Sequence, residues 1–266
     1  MSFQKYEEQL ESIARFPERE AQNAQAIVRQ MPEASMVLDR ESWAALGIEV
    51  SDGRVPVKVR APELREDPDT GRSVIRFAQK DVYDVSQTSA PDMRRAAPAP
   101  EEVYAAILAQ ADCPVREGRV PYGEIGIWDP LKNQIVLRSG LEGEKKAVAL
   151  IQQIGRSRAQ MPGEHALKEI RELRADAFTR AVARHYDIDA VKYLGNTAAK
   201  NASRISGWQG TIAPAHVEAR VMIRRTDAAL EHSRSIDQTH GAAQKPVHTN
   251  TNTRKTERPR EAALSR

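Results

Sequence analysis

Hydrophobic residues near the amino terminus recur at the spacing of a helix. Four of them, three or four residues apart, are Tyr6, Leu10, Ile13 and Phe16. The same spacing resumes over residues 24–31, and together the two runs predict amphipathic helices within residues 3–31. Pro17 lies between the runs, so we expect the first helix to end or a new one to begin there.

Two later segments alternate strictly between apolar and polar residues. Arg54–Ala61 has a valine at every second position from Val55, and Ser73–Val85 alternates around Ile75 and Phe77. A period of two is typical of β-strands, and the intervening sequence REDPDTGR has the composition of a turn. The segments therefore predict a β-hairpin in an α+β domain that ends near residue 88.

The rest of the chain is predicted to be mostly helical. Residues 89–100 are rich in proline and alanine, which is typical of a linker. Helical patterns follow at 101–111, 143–159, 167–186 and 217–230, with short strands near 125–128 and 134–137. Residues 231–266 show no apolar periodicity and predict a disordered basic tail. The predicted divisions are 1–88, 89–100, 101–230 and 231–266.

Composition and charge narrow the class of protein. The 266 residues are 40% hydrophobic and 29% charged, as in globular proteins. No run of apolar residues is long enough for a transmembrane helix, and the amino-terminal residues do not have the pattern of a signal peptide. The single Cys113 cannot form an internal disulfide, which fits a reducing compartment. We therefore expect a cytoplasmic protein without a membrane partner.

The basic excess lies at the carboxyl end. Residues 225–266 hold eight Lys or Arg against five Asp or Glu, which accounts for the whole formal charge of +3. Residues 1–224 are therefore neutral overall. Bulk charge does not establish nucleic-acid binding, and only a local basic surface would.

A series of short motifs runs in order through the first 88 residues. They are Asn23, Ile27, Gln30, Pro32-Glu33-Ala34, Trp43, Leu46-Gly47, Gly53, Ala61-Pro62 and the stretch VYDVSQT at 82–88. In this order they resemble the single-stranded-DNA-binding amino-terminal domain of ArdC-like antirestriction proteins, found on plasmids and other mobile elements. Two features of that family are missing. The sequence SDGRV at 51–55 replaces a basic KKGEK, and no Tyr-Ser precedes the helical asparagine.

Residues 101–224 resemble the zinc-metallopeptidase-like domain that follows in the same family. The matching segments are 126–129, 135–137, 143–159, 172–178, His185-Tyr186 and 205–208. The resemblance implies a mostly helical, zincin-like domain.

The metal-binding motif of a zincin is replaced in this chain. Zincins carry HExxH on a helix, in which two histidines bind zinc and the glutamate acts as the general base. The corresponding residues are Gln152-Gln153-Ile154-Gly155-Arg156, and the whole chain contains no HxxxH. Amides are poor zinc ligands, arginine is a permanent cation, and one carboxylate from Glu172 or Asp176 does not hold zinc. We therefore predict a catalytically inactive domain with no metal or cofactor.

The resemblance and the hairpin pattern together select candidate DNA-binding residues. They are Asn23, Gln30, Trp43, Arg54, Lys58, Arg60, Arg76, Lys80 and Tyr83. The four cations of the strands are predicted to form one basic sheet face that follows phosphates, with aromatic side chains as stacking platforms.

Each candidate also has a structural interpretation. The charges fit a solvated strand face, Asn23 and Gln30 fit capping or turn-stabilising roles, and Trp43 fits the core. Phe77 alternates away from Arg76, which also places it in the core.

The resemblance implies a non-enzymatic protein that binds single-stranded DNA without sequence preference, in antirestriction or conjugative transfer of a mobile element. An alternative stays open. In it the DNA-binding domain has drifted, the peptidase-like domain is inactive, and the chain is a protein-interaction factor that docks on a restriction or conjugation protein. The sequence leaves the oligomeric state open.

Overall fold

The computed structural model describes residues 3–67, 70–93, 97–159, 167–195 and 207–243. Its helices are α1 Phe3–Arg15, α2 Ala21–Gln30, α3 Arg40–Ala45, α4 Pro100–Leu108, α5 Gly143–Arg158, α6 Lys168–His185, α7 Val191–Leu194 and α8 Trp208–Ala243. Its strands are β1 Val37–Leu38, β2 Val57–Glu66, β3 Ser73–Asp84, β4 Val115–Gly118, β5 Gly126–Asp129 and β6 Gln134–Arg138. The predicted α+β class is confirmed. None of the described helices has the length and hydrophobicity needed to cross a membrane.

The helices at the amino terminus form where the apolar spacing predicts them. Tyr6, Leu10 and Ile13 of α1 are almost fully buried, and α2 buries Ala24 and Ile27. Pro17 lies in the turn between α1 and α2, as expected for a residue that cannot continue a helix.

The predicted hairpin forms from β2 and β3. The strands pair antiparallel over ten residue pairs, from Val57 opposite Val82 to Glu66 opposite Ser73. The short β1 pairs with the end of β3, so the sheet has the order β1-β3-β2 and β2 is an edge strand. Only the end of the hairpin near Val57, Val59 and Val82 is buried, in a cluster that also contains Ile27 of α2.

The second sheet has the order β4-β6-β5, with β4 parallel and β5 antiparallel to β6. Its inner face presents the fully buried Ile135 and Leu137 to a core that also contains α5 residues. Helix α6 packs closely on α5 at Gly155. A Cβ there would lie 2.9 Å from the Phe178 ring, so only glycine permits this approach.

Residues 1–230 form one compact unit. The largest hydrophobic core of this unit contains residues from α1 near its start and from α8 near its end. It combines α4, the second sheet, α5, α6 and α8 with Tyr6, Leu10 and Ile13 of α1. Helix α1 therefore packs with the residues predicted as the second domain. The division at residue 88 into a DNA-binding and a zincin-like domain stays a prediction.

The last helix is longer than predicted. The sequence pattern indicated a helix over 217–230 and disorder from 231, whereas α8 begins at Trp208 and ends at Ala243. Residues 231–243 contain no proline, and extending an existing helix by one residue costs far less than nucleating one. The disorder predicted for 231–243 is thus wrong, and the rest of the predicted tail, 244–266, lies outside the described residues.

Candidate nucleic-acid interface

The distal part of the hairpin projects beyond its core. Between Ala61 on β2 and Ala78 on β3, every described side chain is exposed or half-exposed. We call residues 61–78 the hairpin arm. Because both faces of the arm are accessible, its side chains are available to a partner.

The strand register divides the hairpin side chains between two faces. Residues opposite each other in an antiparallel pair point to the same side, and neighbours along a strand point to opposite sides. The inner face contains Val57, Val59, Ala61, Glu63, Arg65, Val74, Arg76, Ala78, Lys80 and Val82. The outer face contains Lys58, Arg60, Pro62, Leu64, Glu66, Ser73, Ile75, Phe77, Gln79 and Asp81.

The predicted single basic face is therefore wrong. Lys58 and Arg60 belong to the outer face, whereas Arg76 and Lys80 belong to the inner face. The reason is the register, since the residue opposite Lys58 is Asp81 and not Lys80.

The outer face of the arm is apolar and accessible. Leu64 and Ile75 lie opposite each other and are both 69% exposed, and Phe77 is 55% exposed. The Arg60 guanidinium lies over the Phe77 ring, 5.6 Å from its centroid, at a distance typical of a cation–π contact. Phe77 was expected in the core and lies on the surface instead, because the core covers the face that also carries Arg76.

Ion pairs within the protein neutralise two of the candidate cations. The Lys58 Nζ lies 3.0 Å from Asp81 Oδ1, and the Lys80 Nζ lies 2.6 Å from Asp39 Oδ2. The hydrogen bond from Lys80 holds the pKa of the Asp39 carboxyl well below its usual range. Among the described residues, Arg54 and Arg76 are exposed and form no ion pair.

Asn23 and Gln30 bind the backbone of the edge strand. The Asn23 amide donates to the Arg60 carbonyl at 2.7 Å and accepts from the Arg60 N–H at 2.9 Å. The Gln30 amide makes the same two bonds with Lys58, at 2.8 and 2.9 Å. We call these four bonds the amide clamp. They give both amides a structural role on the β2 edge.

Trp43 is not accessible to a ligand. Its side chain is fully buried, and its Nε1 donates to the Tyr83 carbonyl at 2.9 Å. The prediction of a DNA contact is therefore wrong for Trp43, since a base cannot stack on a ring enclosed by the core. The Tyr83 ring is half-buried, with the Arg40 guanidinium 5.2 Å from its centroid.

The position of the zincin motif is occupied by an ion-pair network. The Arg156 guanidinium on α5 lies 3.3 Å from a carboxylate oxygen of Glu124 and 3.3 Å from one of Glu172 on α6. The Gln153 amide is fully buried and donates to Gln152 Oε1 at 2.9 Å. A guanidinium between the two carboxylates does not fit a metal ion. Within the described part of the chain, no group of three or more His, Cys, Asp or Glu could hold one.

A cleft of about 680 Å³ lies beside the end of α6. Its lining arginines are engaged: Arg15 pairs with Glu11 at 2.7 Å, and Arg184 pairs with Glu11 at 3.2 Å. Both ring nitrogens of His185 form hydrogen bonds: Nδ1 with the Ala14 carbonyl at 2.6 Å and Nε2 with the Asp227 carboxylate at 3.1 Å. These side chains tie helices together, so the hairpin arm remains the better candidate interface.

Comparison with known proteins finds similar solved structures, among them two of one protein. No protein-family model matches the chain, and no curated protein matches it. Both structures are of the antirestriction protein ArdC from the R388 plasmid. The metal-free structure is 14% identical, with a TM-score of 0.47 over 78% of this chain and 84% of that chain. The Mn(II)-bound structure is 12% identical, with a TM-score of 0.48 over 85% and 98%.

Proposed function

We propose that this protein binds single-stranded DNA without sequence preference through the outer face of its hairpin arm. The observation that carries the proposal is the exposed Phe77 ring beneath the Arg60 guanidinium, flanked by the exposed Leu64 and Ile75. Unpaired bases stack on such side chains because every base has a π-face, whereas a duplex keeps its bases stacked inside.

The proposed contacts differ from the candidates chosen by sequence. Arg60 and Phe77 form their centre, and Arg54 is an exposed cation available to phosphates. Arg76 is also exposed but lies on the inner face, away from Phe77. Lys58, Lys80 and Tyr83 contribute less, because ion pairs or packing already engage them. Asn23 and Gln30 act through the strand that they hold, as described for the amide clamp.

The biological role follows from the sequence resemblance of residues 23–88 to ArdC-like proteins. We infer that the protein acts in the cytoplasm, in antirestriction or in conjugative transfer of a mobile element, and that it is not an enzyme. The ion-pair network of Arg156 with Glu124 and Glu172 supports the second part of this inference, because it leaves neither a metal ligand set nor a general base.

Fluorescence anisotropy with a labelled 30-base single strand and its duplex tests the proposal, at low and at physiological salt. We expect the single strand to bind more tightly. Replacing Phe77 by alanine should weaken single-strand binding roughly 10-fold or more, since one stacked base contributes about 1–3 kcal/mol. Leu131→Ala, which removes another exposed apolar side chain outside the arm, is the matched control. Equal affinities for Phe77→Ala and wild type would exclude the arm as the binding surface.

The apolar character of the arm also favours a second candidate function. Exposed Leu64, Ile75 and Phe77 side chains would suit a protein contact with a restriction or conjugation protein. Salt separates the two functions, because phosphate contacts weaken steeply as salt rises and an apolar contact does not. A chain that binds no single strand at low salt would support the second function.

A further inference from the structure

We propose that the outward face of the second sheet is a second contact surface for the same single-stranded DNA, with Arg116, Arg119 and Arg138 binding its phosphates. This inference rests on the proposed function and extends it. The first surface supplies a stacking platform, but two of the hairpin cations, Lys58 and Lys80, are already paired with Asp81 and Asp39. Cations elsewhere in the chain would add phosphate contacts to those of Arg54 and Arg60.

The strand register brings two of the three arginines together. Arg116 on β4 lies opposite Val136 on β6, and Gly118 lies opposite Arg138. Paired residues of neighbouring strands share a face, so both arginines point away from the core that holds Ile135 and Leu137. From strand spacing and rise, their Cα atoms are about 8 Å apart. This separation is comparable to that of successive phosphates in an extended strand.

The three guanidinium groups have no acidic partner among the described residues. Arg116 Nε donates to the neutral Gln134 amide oxygen at 3.3 Å, and Arg138 Nη2 donates to the Pro121 carbonyl at 3.2 Å. Arg119 is exposed and also forms no ion pair. Four arginines elsewhere in residues 101–230 pair with carboxylates, whereas the exposed Arg171, Arg224 and Arg225 form no ion pair within the described part of the chain. The paired arginines are Arg156, Arg158, Arg180 and Arg184.

Gly118 leaves space for the Arg116 side chain on the surface of the second sheet. A Cβ on Gly118 would lie 2.9 Å from Arg116 Nη1 and 3.1 Å from a methyl group of Val136. The glycine therefore leaves room for the guanidinium above it, beside the side chain of the buried Val136. The acidic residue on this face, Asp129, accepts hydrogen bonds from the turn amides of residues 131 and 132 at 3.1 Å.

An aromatic side chain stands beside these cations. Tyr122 is fully exposed, in the loop whose Pro121 carbonyl binds Arg138. Guanidinium groups held by neutral acceptors keep their positive charge and free N–H donors for phosphate oxygens. Cations interspersed with an exposed ring are typical of single-strand binding surfaces. The charge complementarity thus selects a phosphodiester strand over an apolar protein partner.

The salt dependence of binding measures this surface directly. We expect the triple variant Arg116→Gln, Arg119→Gln, Arg138→Gln to bind the labelled 30-base strand with a log–log salt slope that is smaller by about two, because each lost phosphate contact removes about 0.7. A triple change of the exposed Arg171, Arg224 and Arg225 to glutamine removes the same charge elsewhere and should leave the slope unchanged. Lysine at positions 116, 119 and 138 should largely retain the wild-type slope, which separates charge from folding.

The outcomes distinguish the two proposals. A wild type that fails to bind the single strand at low salt overturns the proposed function and this inference together. Binding that Phe77→Ala weakens, with the glutamine triple at residues 116, 119 and 138 identical in slope to its control, overturns only the second surface. A reduced slope in the lysine triple equal to that of the glutamine triple would also overturn it, because the charge would then not be the cause.

Discussion

Buried polar side chains in this protein differ in how completely their hydrogen bonds are satisfied. The Asp84 carboxylate, almost fully buried, accepts from the backbone N–H groups of residues 35, 36 and 86 at 2.7–3.0 Å. His216 is equally buried, but its Nε2 has no hydrogen-bond partner in the described part of the chain. Burial disfavours the charged ring and lowers the pKa of His216 to about 4.

This histidine predicts a loss of stability in acid. The unfolded chain takes up a proton on His216 below its ordinary pKa of 6.5, whereas the folded protein resists protonation until about pH 4. The free energy of unfolding should therefore fall by about 3 kcal/mol as the pH drops from 6.5 to 4. Urea unfolding at several pH values measures the fall, and His216→Leu should reduce it. A pH dependence unaltered in His216→Leu, and equal to that of the exposed His232→Gln, would assign the acid sensitivity to other groups.

At the scale of the elements, two side chains of α2 form the backbone hydrogen bonds that a further strand beside β2 would make. The outer edge of β2 would expose the N–H and C=O groups of Lys58 and Arg60, and the amide clamp satisfies them from α2. Exposed strand edges promote pairing with other chains, so the clamp also protects this edge. Pro62, the next residue along this edge, has no N–H to offer.

Removing the clamp should loosen the base of the hairpin. We expect Asn23→Ala and Gln30→Ala each to lower the free energy of unfolding by about 1 kcal/mol, since each loses two hydrogen bonds at a partly solvated edge. Gln22→Ala, an exposed change on the same helix, should have little effect in the same urea titration. Normal stability combined with lost single-strand binding would instead show that the two amides contact DNA.

Local patterns predicted the elements better than the surfaces. The alternation over 54–61 and 73–85 predicted the presence of both hairpin strands, because side-chain period depends only on neighbouring residues. The bounds of the first strand were wrong, since β2 spans Val57–Glu66 and includes two residues of the predicted turn. The pairing register depends on the turn, and a shift by one residue moves a side chain to the other face. The sequence therefore located Arg60 and Arg76 on strands but could not separate their faces.

The hydrogen-bond partners of individual side chains could not be predicted from the sequence either, because they also depend on how distant segments pack. The spacing of seven placed Asn23 and Gln30 on one helix face, yet only the packed structure shows that β2 lies against it. The basic face of the second sheet was missed, since its cations come from strands β4 and β6 and from a loop. The glycine between two arginines, at Gly118, was a signal that the sequence carried.

At the scale of the whole molecule, the side chains at residues 152–156 pair with each other and with carboxylates and form no metal-ligand set within the described part of the chain. We expect equimolar zinc to leave the melting temperature of the wild type unchanged. The triple variant Gln152→His, Gln153→Glu, Arg156→His should gain a zinc-dependent increase of several degrees, because Glu172 already faces position 156. The double change at 152 and 153 that keeps Arg156 is the control. An increase in the wild type would contradict the proposed absence of a metal site.

Helix α1 makes contacts that are distant in sequence. The Tyr6 hydroxyl donates to the Asp176 carboxylate at 2.8 Å, across 170 residues of chain. During synthesis, α1 leaves the ribosome long before α6 exists, and its apolar stripe of Tyr6, Leu10 and Ile13 stays uncovered until then. Closing so long a loop slows folding. The nascent chain therefore has a prolonged interval in which a chaperone can engage α1, and a fragment that ends after the hairpin would never leave that state.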